Sequence, residues 1–274
     1  MGFQKSGGVR RKGQQLGQHF LSDTRYLGTI LTAAELSEGD NVVEVGPGKG
    51  VLTKALLGRV AKVTAIEIDS VLVEKLSEKF ASFENFHLVF GDARHLNLDE
   101  IVGAETYKLV ANLPYYAATY ILRAFLALQN PPQIAVVMVQ REVAQQMVGR
   151  PGSMTFLSHA IGLYGKPSII RSVPPQAFRP PPQIYSSIVR IEKVDEASRS
   201  WIVGLDKEEF LDFIRCGFAA PRKKLGNSLS QGLGIGANNI RVFCETAGID
   251  PSMRPSTLAT NEWLGIYDQW RRSS

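Results

Sequence analysis

From residue 41 onward, short runs of β-branched and apolar residues alternate with longer stretches whose apolar positions recur every three or four residues. NVVEVG (41–46), KVTAIEID (62–69), FHLVFGDA (86–93), YKLVANLPY (107–115) and IAVVMVQRE (134–142) read as strands, each ending in a polar or turn residue. Between the first two, GVLTKALLGR (50–59) sets Val51, Leu52, Ala55 and Leu56 at helical spacing, and a second helix is expected over 70–80. Strands alternating with helical patterns predict an α/β fold: a mostly parallel, doubly wound sheet of Rossmann-like form. KPSIIRSV (166–173) and YSSIVRIEKV (185–194) flank the proline-rich PPQAFRPPPQ (174–183) and are expected to form an antiparallel edge.

From Lys207 the pattern turns helical, in EEFLDFIRCGF, KKLGNSLSQ, NNIRVFCETAG and NEWLGIYDQW. The segments are short and most are bounded by Gly or Pro. This predicts a small all-helical domain over 201–274, after a larger α/β domain over 16–200 and a mobile basic arm over 1–15. No internal repeat is visible.

Composition changes this picture little. Hydrophobic residues make up 44% and charged residues 21%, as in ordinary globular chains. No apolar run approaches bilayer length, and the first 20 residues lack a signal-peptide core. Met1-Gly2 with Ser6 matches a myristoylation pattern too short to count by itself. Cys216 and Cys244 offer neither metal spacing nor a disulfide framework, so a reducing cytoplasm, no metal and no membrane are expected. A monomer is the expected state. The net charge of +5 and pI near 9.2 permit a polyanionic partner without demanding one.

The chemistry gathers at the strand ends. Gly46, Gly48 and Gly50 follow the first strand as G-x-G-x-G, whereas the dinucleotide fingerprint is G-x-G-x-x-G. A nucleoside cofactor without a pyrophosphate is the better match. Glu67 ends the second strand, where a carboxylate can accept both hydroxyls of a ribose. Asp92 ends the third strand, where it can receive an adenine amine. Singly, each is as readily a turn residue or helix cap, as Asp69 also is. In this order they form a nucleoside site.

Asn112-Leu113-Pro114-Tyr115 follows the fourth strand. The exocyclic amine of adenine is a poor nucleophile because its lone pair is delocalised into the ring. Two acceptors, the Asn112 side-chain oxygen and the Leu113 carbonyl, would favour a tetrahedral nitrogen and free that lone pair. Pro114 has no N–H to compete, and Tyr115 can stack on a base taken out of its helix. Phe178, in a loop stiffened by prolines, is a second stacking ring or else a core residue. Arg10-Arg11-Lys12 and Arg222-Lys223-Lys224 are basic clusters suited to phosphates, and ordinary solvated charges when taken one at a time. The parts point to methyl transfer from S-adenosylmethionine onto a base amine.

LGQHFL (16–21), EVGPGKG (44–50), AIEID (65–69), GDA (91–93), NLPYY (112–116), VPPQAFRPPPQIYSS (173–187) and RKKLGNSL (222–229) together closely resemble the small-subunit branch of the rRNA adenine dimethyltransferases. The resemblance implies that Gln18, His19 and Leu21 lie over the cofactor. It implies that Gly46, Glu67, Asp92 and Asn112, taken with Glu44, Gly48 and Ala93 of the same motifs, bind S-adenosylmethionine or line the transfer site. Tyr115 and Phe178 match the rings that hold the target adenine. The implied substrate is a pair of adjacent adenines in a hairpin loop near the 3′ end of small-subunit rRNA, each receiving two methyls. The implied partner is an immature small ribosomal subunit.

Two stretches depart from the family pattern. Met154 to Leu157 follow Pro151-Gly152-Ser153 where a Tyr-Gly pair is usual, and Gln183 stands in place of a lysine. Both lie outside the expected cofactor contacts and bear on RNA grip. Three other readings stay open: a large-subunit adenine methyltransferase of the macrolide-resistance type, a non-catalytic assembly or transcription factor, and a DNA adenine methyltransferase. The last typically carries an acid at the Asn112 position.

Overall fold

A computed structural model describes residues 19–273. The chain enters with a two-residue strand β1 (Phe20–Leu21) and helix α1 (Thr24–Ala33), which is capped by the Asp23 side chain accepting from the Arg25 N–H. Then follow β2 (Asn41–Val45), α2 (Val51–Leu57), β3 (Lys62–Glu67), α3 (Ser70–Lys79), β4 (Phe86–Phe90) and α4 (Leu98–Val102). The middle holds β5 (Tyr107–Asn112), α5 (Ala118–Leu126), β6 (Ile134–Gln140), α6 (Arg141–Val148) and α7 (Phe156–Gly162). After them come β7 (Gly165–Val173), β8 (Phe178–Arg179) and β9 (Ser186–Lys193). The chain finishes with α8 (Lys207–Gly217), α9 (Leu225–Leu233), α10 (Ala237–Thr246) and α11 (Thr260–Ser273).

Seven strands form one sheet in the order β4-β3-β2-β5-β6-β9-β7. The first five are mutually parallel, and β9 and β7 complete the sheet antiparallel, as the sequence predicts. Because strand side chains alternate between faces, the sheet builds two cores. Val43, Val45, Leu109, Ala111, Val137 and Val139 meet α5 and α6 on one face. Val42, Val63, Val110, Val136 and Met138 meet α1, α2 and α3 on the other. The chain steps outward from β2 through β3 to β4, then returns to the opposite side of β2 with β5. That reversal opens a crevice at the carboxyl ends of β2 and β5.

The helices α8 to α11 enclose a third core in which Phe210, Phe213, Trp263 and Tyr267 are fully buried. Ala160 of α7 and Leu163, which caps that helix, belong to this core, so the helical part is seated on the sheet part. The His159 ring beside them bonds through Nδ1 to the Thr260 hydroxyl at 2.9 Å.

Candidate active-site crevice

β2 ends at Val45 because Gly46 turns out of the strand with φ +72°, a conformation that favours glycine. A Cβ on Gly46 would touch nothing closer than 3.8 Å, so it would occupy crevice space rather than collide with protein. At Gly48 (φ +58°) a Cβ would lie 2.7 Å from the Phe20 ring, which closes over the loop. The two glycines thus let backbone line the crevice on one side and let the N-terminal segment approach on the other.

The crevice, open to solvent, spans about 660 Å³ and is lined by His19, Phe20, Gly46, Gly48, Glu67, Ile68 and the run from Asn112 to Tyr116. A smaller recess of about 330 Å³ shares Gly46, Glu67, Pro114 and Tyr116 and continues to Gly91, Asp92 and Ala93. The tips of β2, β3, β4 and β5 therefore converge on one continuous space.

Glu67 is buried at its edge, held by backbone. Its Oε2 accepts from the Gly48 N–H at 3.1 Å, and its Oε1 accepts from Ile68 and Asp69 at 2.9 and 3.0 Å. Asp92 grips Arg94 through both oxygens, the shortest contact being 2.6 Å, and the Arg94 guanidinium also lies 5.5 Å from the Tyr116 ring. The hydrogen bonds from the Arg94 side chain hold the Asp92 carboxyl below its ordinary pKa, against the opposing effect of partial burial. Asp69, by contrast, caps α3 by accepting from Val71 and Leu72, as its cap position suggests.

Asn112 ends β5, and its Nδ2 donates to the His19 carbonyl at 3.3 Å. A carbonyl can only accept, so the amide must present nitrogen to it, which leaves Oδ1 on the other side with no partner among the described residues. His19 is fixed in turn, its Nδ1 donating to the Pro180 carbonyl at 2.8 Å. Its ring tilts against Tyr115 with centroids 6.0 Å apart. The Tyr115 hydroxyl bonds Ser186 Oγ at 2.6 Å, and burial raises the phenol's pKa more than that bond lowers it. Tyr115 is half-buried with its ring at the crevice, while Leu113 and Pro114 complete the turn.

Three expected residues sit elsewhere. Phe178 is fully buried with Leu21, Val173, Ala177 and Ile188 and does not line the crevice. The cause is the antiparallel pairing of β8 with β1, which sets Phe178 opposite Leu21 and turns the ring inward. The expectation of an accessible second stacking ring there is corrected. Leu21 and Glu44 border an adjoining cavity together with Gly46 and Asn112 rather than the main crevice. Glu44 is buried, its Oε2 accepting from the Thr53 hydroxyl at 2.7 Å. Burial, reinforced by the nearby Glu67 charge and only partly offset by Thr53, pushes its carboxyl up to about 8. Arg222, Lys223 and Lys224 are exposed ahead of α9. Gln18, Arg10, Arg11 and Lys12 lie outside the described residues.

Sequence reasoning passed over Phe20, Ile68, Arg94 and Ser186. Only Arg94 carried a signal, standing two residues after Asp92. The others enter through tertiary pairing that local pattern does not encode.

Among the described residues no cluster of three or more metal-ligating side chains occurs, and no helix is long and apolar enough to cross a membrane. A carboxylate faces the crevice, and among the described residues no lysine or arginine lines it. That charge disfavours a pyrophosphate and favours a nucleoside ligand carrying positive charge, which the residues therefore fit.

A chain from Dehalococcoides mccartyi named ribosomal RNA small subunit methyltransferase A is 43% identical over 92% of this chain and 86% of its own length. One of the same name from Clostridium botulinum is 36% identical over 93% and 92%. Among solved structures, a dimethyladenosine transferase from Plasmodium falciparum superposes with a TM-score of 0.76 at 24% identity, covering 93% of this chain and 98% of that one. The family model described as ribosomal RNA adenine dimethylase matches residues 9–271. With nearly the whole length matched and the crevice motifs in place, the chain belongs to the ribosomal RNA adenine dimethylase family.

Proposed function

We propose that this protein transfers methyl groups from S-adenosylmethionine to the exocyclic amines of two adjacent adenosines, near the 3′ end of small-subunit rRNA. Each adenosine would receive two methyls. The observation that carries this reading is Asn112, whose nitrogen donates to His19 and whose oxygen has no partner among the described residues, in a crevice lined also by Leu113 and Tyr115. When bound, S-adenosylmethionine supplies a methyl carbon on a positively charged sulfur, open to in-line attack. Glu67 would accept the ribose hydroxyls, and Asp92, steadied by Arg94, would accept the cofactor's adenine amine.

The protein's part in the chemistry is positioning and dipoles aimed at one nitrogen. Asn112 Oδ1 and the Leu113 carbonyl would accept the two N–H groups of the target amine, drawing its lone pair out of conjugation. Tyr115, braced by Ser186, would stack on the ring and fix its plane. The amine's acidity rises as the new N–C bond forms, so its proton can pass to solvent without a strong base.

The reading extends to a monomer acting in the cytoplasm on an immature small subunit. It divides the chain near residue 200 into a catalytic part and a helical part, the latter supported by the separate aromatic core. Mass-spectrometric mapping of rRNA tests it, after incubating purified small subunits or naked large-subunit RNA with the protein. Dimethyladenosines are expected in the small-subunit RNA alone, and to be absent with Asn112→Ala. Methylation confined to large-subunit RNA, or none, would sink the proposal.

A further inference from the structure

The strand that braces Tyr115 carries an exposed aromatic ring immediately before it. Ser186, the first residue of β9, holds the Tyr115 hydroxyl at 2.6 Å, and Tyr185 precedes it with 44% of its surface exposed. Consecutive Cα atoms lie about 3.8 Å apart, so the Tyr185 backbone stands one residue from the side chain that braces Tyr115. Its backbone is pinned by the Arg141 N–H, which donates to the Tyr185 carbonyl at 3.0 Å at the tip of β6. The Arg141 guanidinium lies 5.1 Å from the centroid of the Tyr185 ring. Its ion pair with Glu142 is loose, at 3.6 Å between half-exposed side chains.

Tyr185 is thus an exposed tyrosine backed by a guanidinium. It presents an aromatic face to which a nucleobase can stack and a cation that can reach the adjoining phosphate. The pair stands on the β9 side of Tyr115, away from the recess that holds Asp92. A single-stranded nucleotide next to an adenine seated on Tyr115 would meet it.

We infer that Tyr185 and Arg141 form a second stacking platform, which holds the RNA nucleotide flanking the target adenine while that adenine occupies the crevice. This rests on the RNA adenine reading above. The platform sets substrate grip and register, not the methyl-transfer step itself. Tyr185 is a positioning residue.

The test is steady-state methylation of purified small subunits by the full chain and its variants, with binding of S-adenosylhomocysteine measured in parallel. Tyr185→Ala is expected to raise KM for the RNA by about 5- to 150-fold, the range of one lost base–aromatic stack. Saturating kcat and S-adenosylhomocysteine affinity should stay within about twofold. Tyr185→Phe should keep the wild-type KM, whereas Tyr185→Leu, apolar but without a π-face, should behave like alanine. Adding Arg141→Ala to Tyr185→Ala should cost less than the two single effects combined, because ring and guanidinium act as one unit. An unchanged KM for Tyr185→Ala overturns the platform. So does a leucine variant that matches phenylalanine, or a defect confined to kcat. Failure of the wild-type protein to methylate small subunits would instead defeat the underlying functional reading, and that arm is scored before any variant.

Discussion

The crevice and the helical core are built on opposite terms. Around the crevice, buried polar groups are satisfied one bond at a time: three backbone N–H groups on Glu67, a hydroxyl on Glu44, a carbonyl on Asn112. In the helical core, Phe213 lies against Trp263, Tyr267 and Trp270 with centroids 5.2 to 6.3 Å apart, and shape decides the fit. Residue identity is set by hydrogen-bonding capacity in the first region and by volume in the second. A substitution in the crevice should therefore alter chemistry while sparing the fold, and one in the helical core should do the reverse.

Trp263→Ala tests that division hardest. The side chain is fully buried, and its removal should cost about 3–5 kcal/mol of stability, seen as a lower midpoint in urea unfolding. Affinity for S-adenosylhomocysteine should stay near wild type under conditions where the variant is folded. Loss of that affinity with little loss of stability would show that the two regions are not separable. Asn112→Ala is the counterpart. It should lower kcat for methyl transfer by about 10²- to 10³-fold, the usual cost of deleting one aimed dipole. Stability should fall by only about 1 kcal/mol, for the single bond lost to His19. Equal damage to folding and rate would remove Asn112 from its role.

The same contrast explains what the sequence disclosed. The strand ends were legible because chemistry restricts them: a positive φ at Gly46, a carboxylate at Glu67, an amide at Asn112 before a proline. The seven-stranded sheet was legible because its central strands run almost wholly apolar between turn residues. Phe178 was not settled by the sequence. Two-residue strands have no periodicity, and the prolines around the ring suggest a loop at least as strongly as a core position. Its burial depends on Leu21, far away in the chain, and no local pattern carries that pairing. Asp92 lines the recess at the crevice edge, and its hold on Arg94 appears only once the turn is formed. The helical core was visible as segments, whereas its inclusion of Ala160 from α7 and of the Leu163 that caps it was not.

Protons sharpen the comparison next, because each region holds, in its neutral form, a buried group that the unfolded chain would ionise near neutral or acid pH. Glu44 has its pKa raised from 4.5 to about 8 by burial, so the folded state holds a proton that the unfolded chain has released. Stability from this group is fully present below 4.5 and is lost as pH rises through about 8. His159 is shifted the other way, from 6.5 to about 4, again by burial. Its contribution is present above 6.5 and is lost as pH falls through about 4. At 1.36 kcal/mol per unit the histidine accounts for about 3 kcal/mol across its window. In thermal melts from pH 4 to pH 9 the two contributions oppose each other between 4.5 and 6.5, so the wild type should fall mainly on the alkaline side, between about 6.5 and 8. Glu44→Gln, which still accepts from Thr53, should remove that fall and uncover the histidine's loss of stability below 6.5, and adding His159→Asn should remove that loss too. A Glu44→Gln profile that still falls on the alkaline side would show that the carboxyl is not buried in its neutral form.

The smallest expected effect concerns a third kind of surface, neither crevice nor core. Arg222 and Lys223 are exposed just ahead of α9, where the helix dipole disfavours cations and gives them no structural return. Lys223 makes one contact with Gln231 at 3.1 Å, an exposed bond of little consequence for stability. If these charges serve phosphates, their effect must appear in RNA affinity and in its dependence on salt. Arg222→Glu with Lys223→Glu should weaken RNA binding by about 5- to 10-fold at moderate salt. The slope of log K against log salt should also become shallower by about 1.4, for two contacts to single-stranded RNA at about 0.7 each. Melting temperature and S-adenosylhomocysteine affinity should not change. An unaltered slope would mean that the two side chains touch no phosphate, and the grip would then have to come from elsewhere on the basic surface.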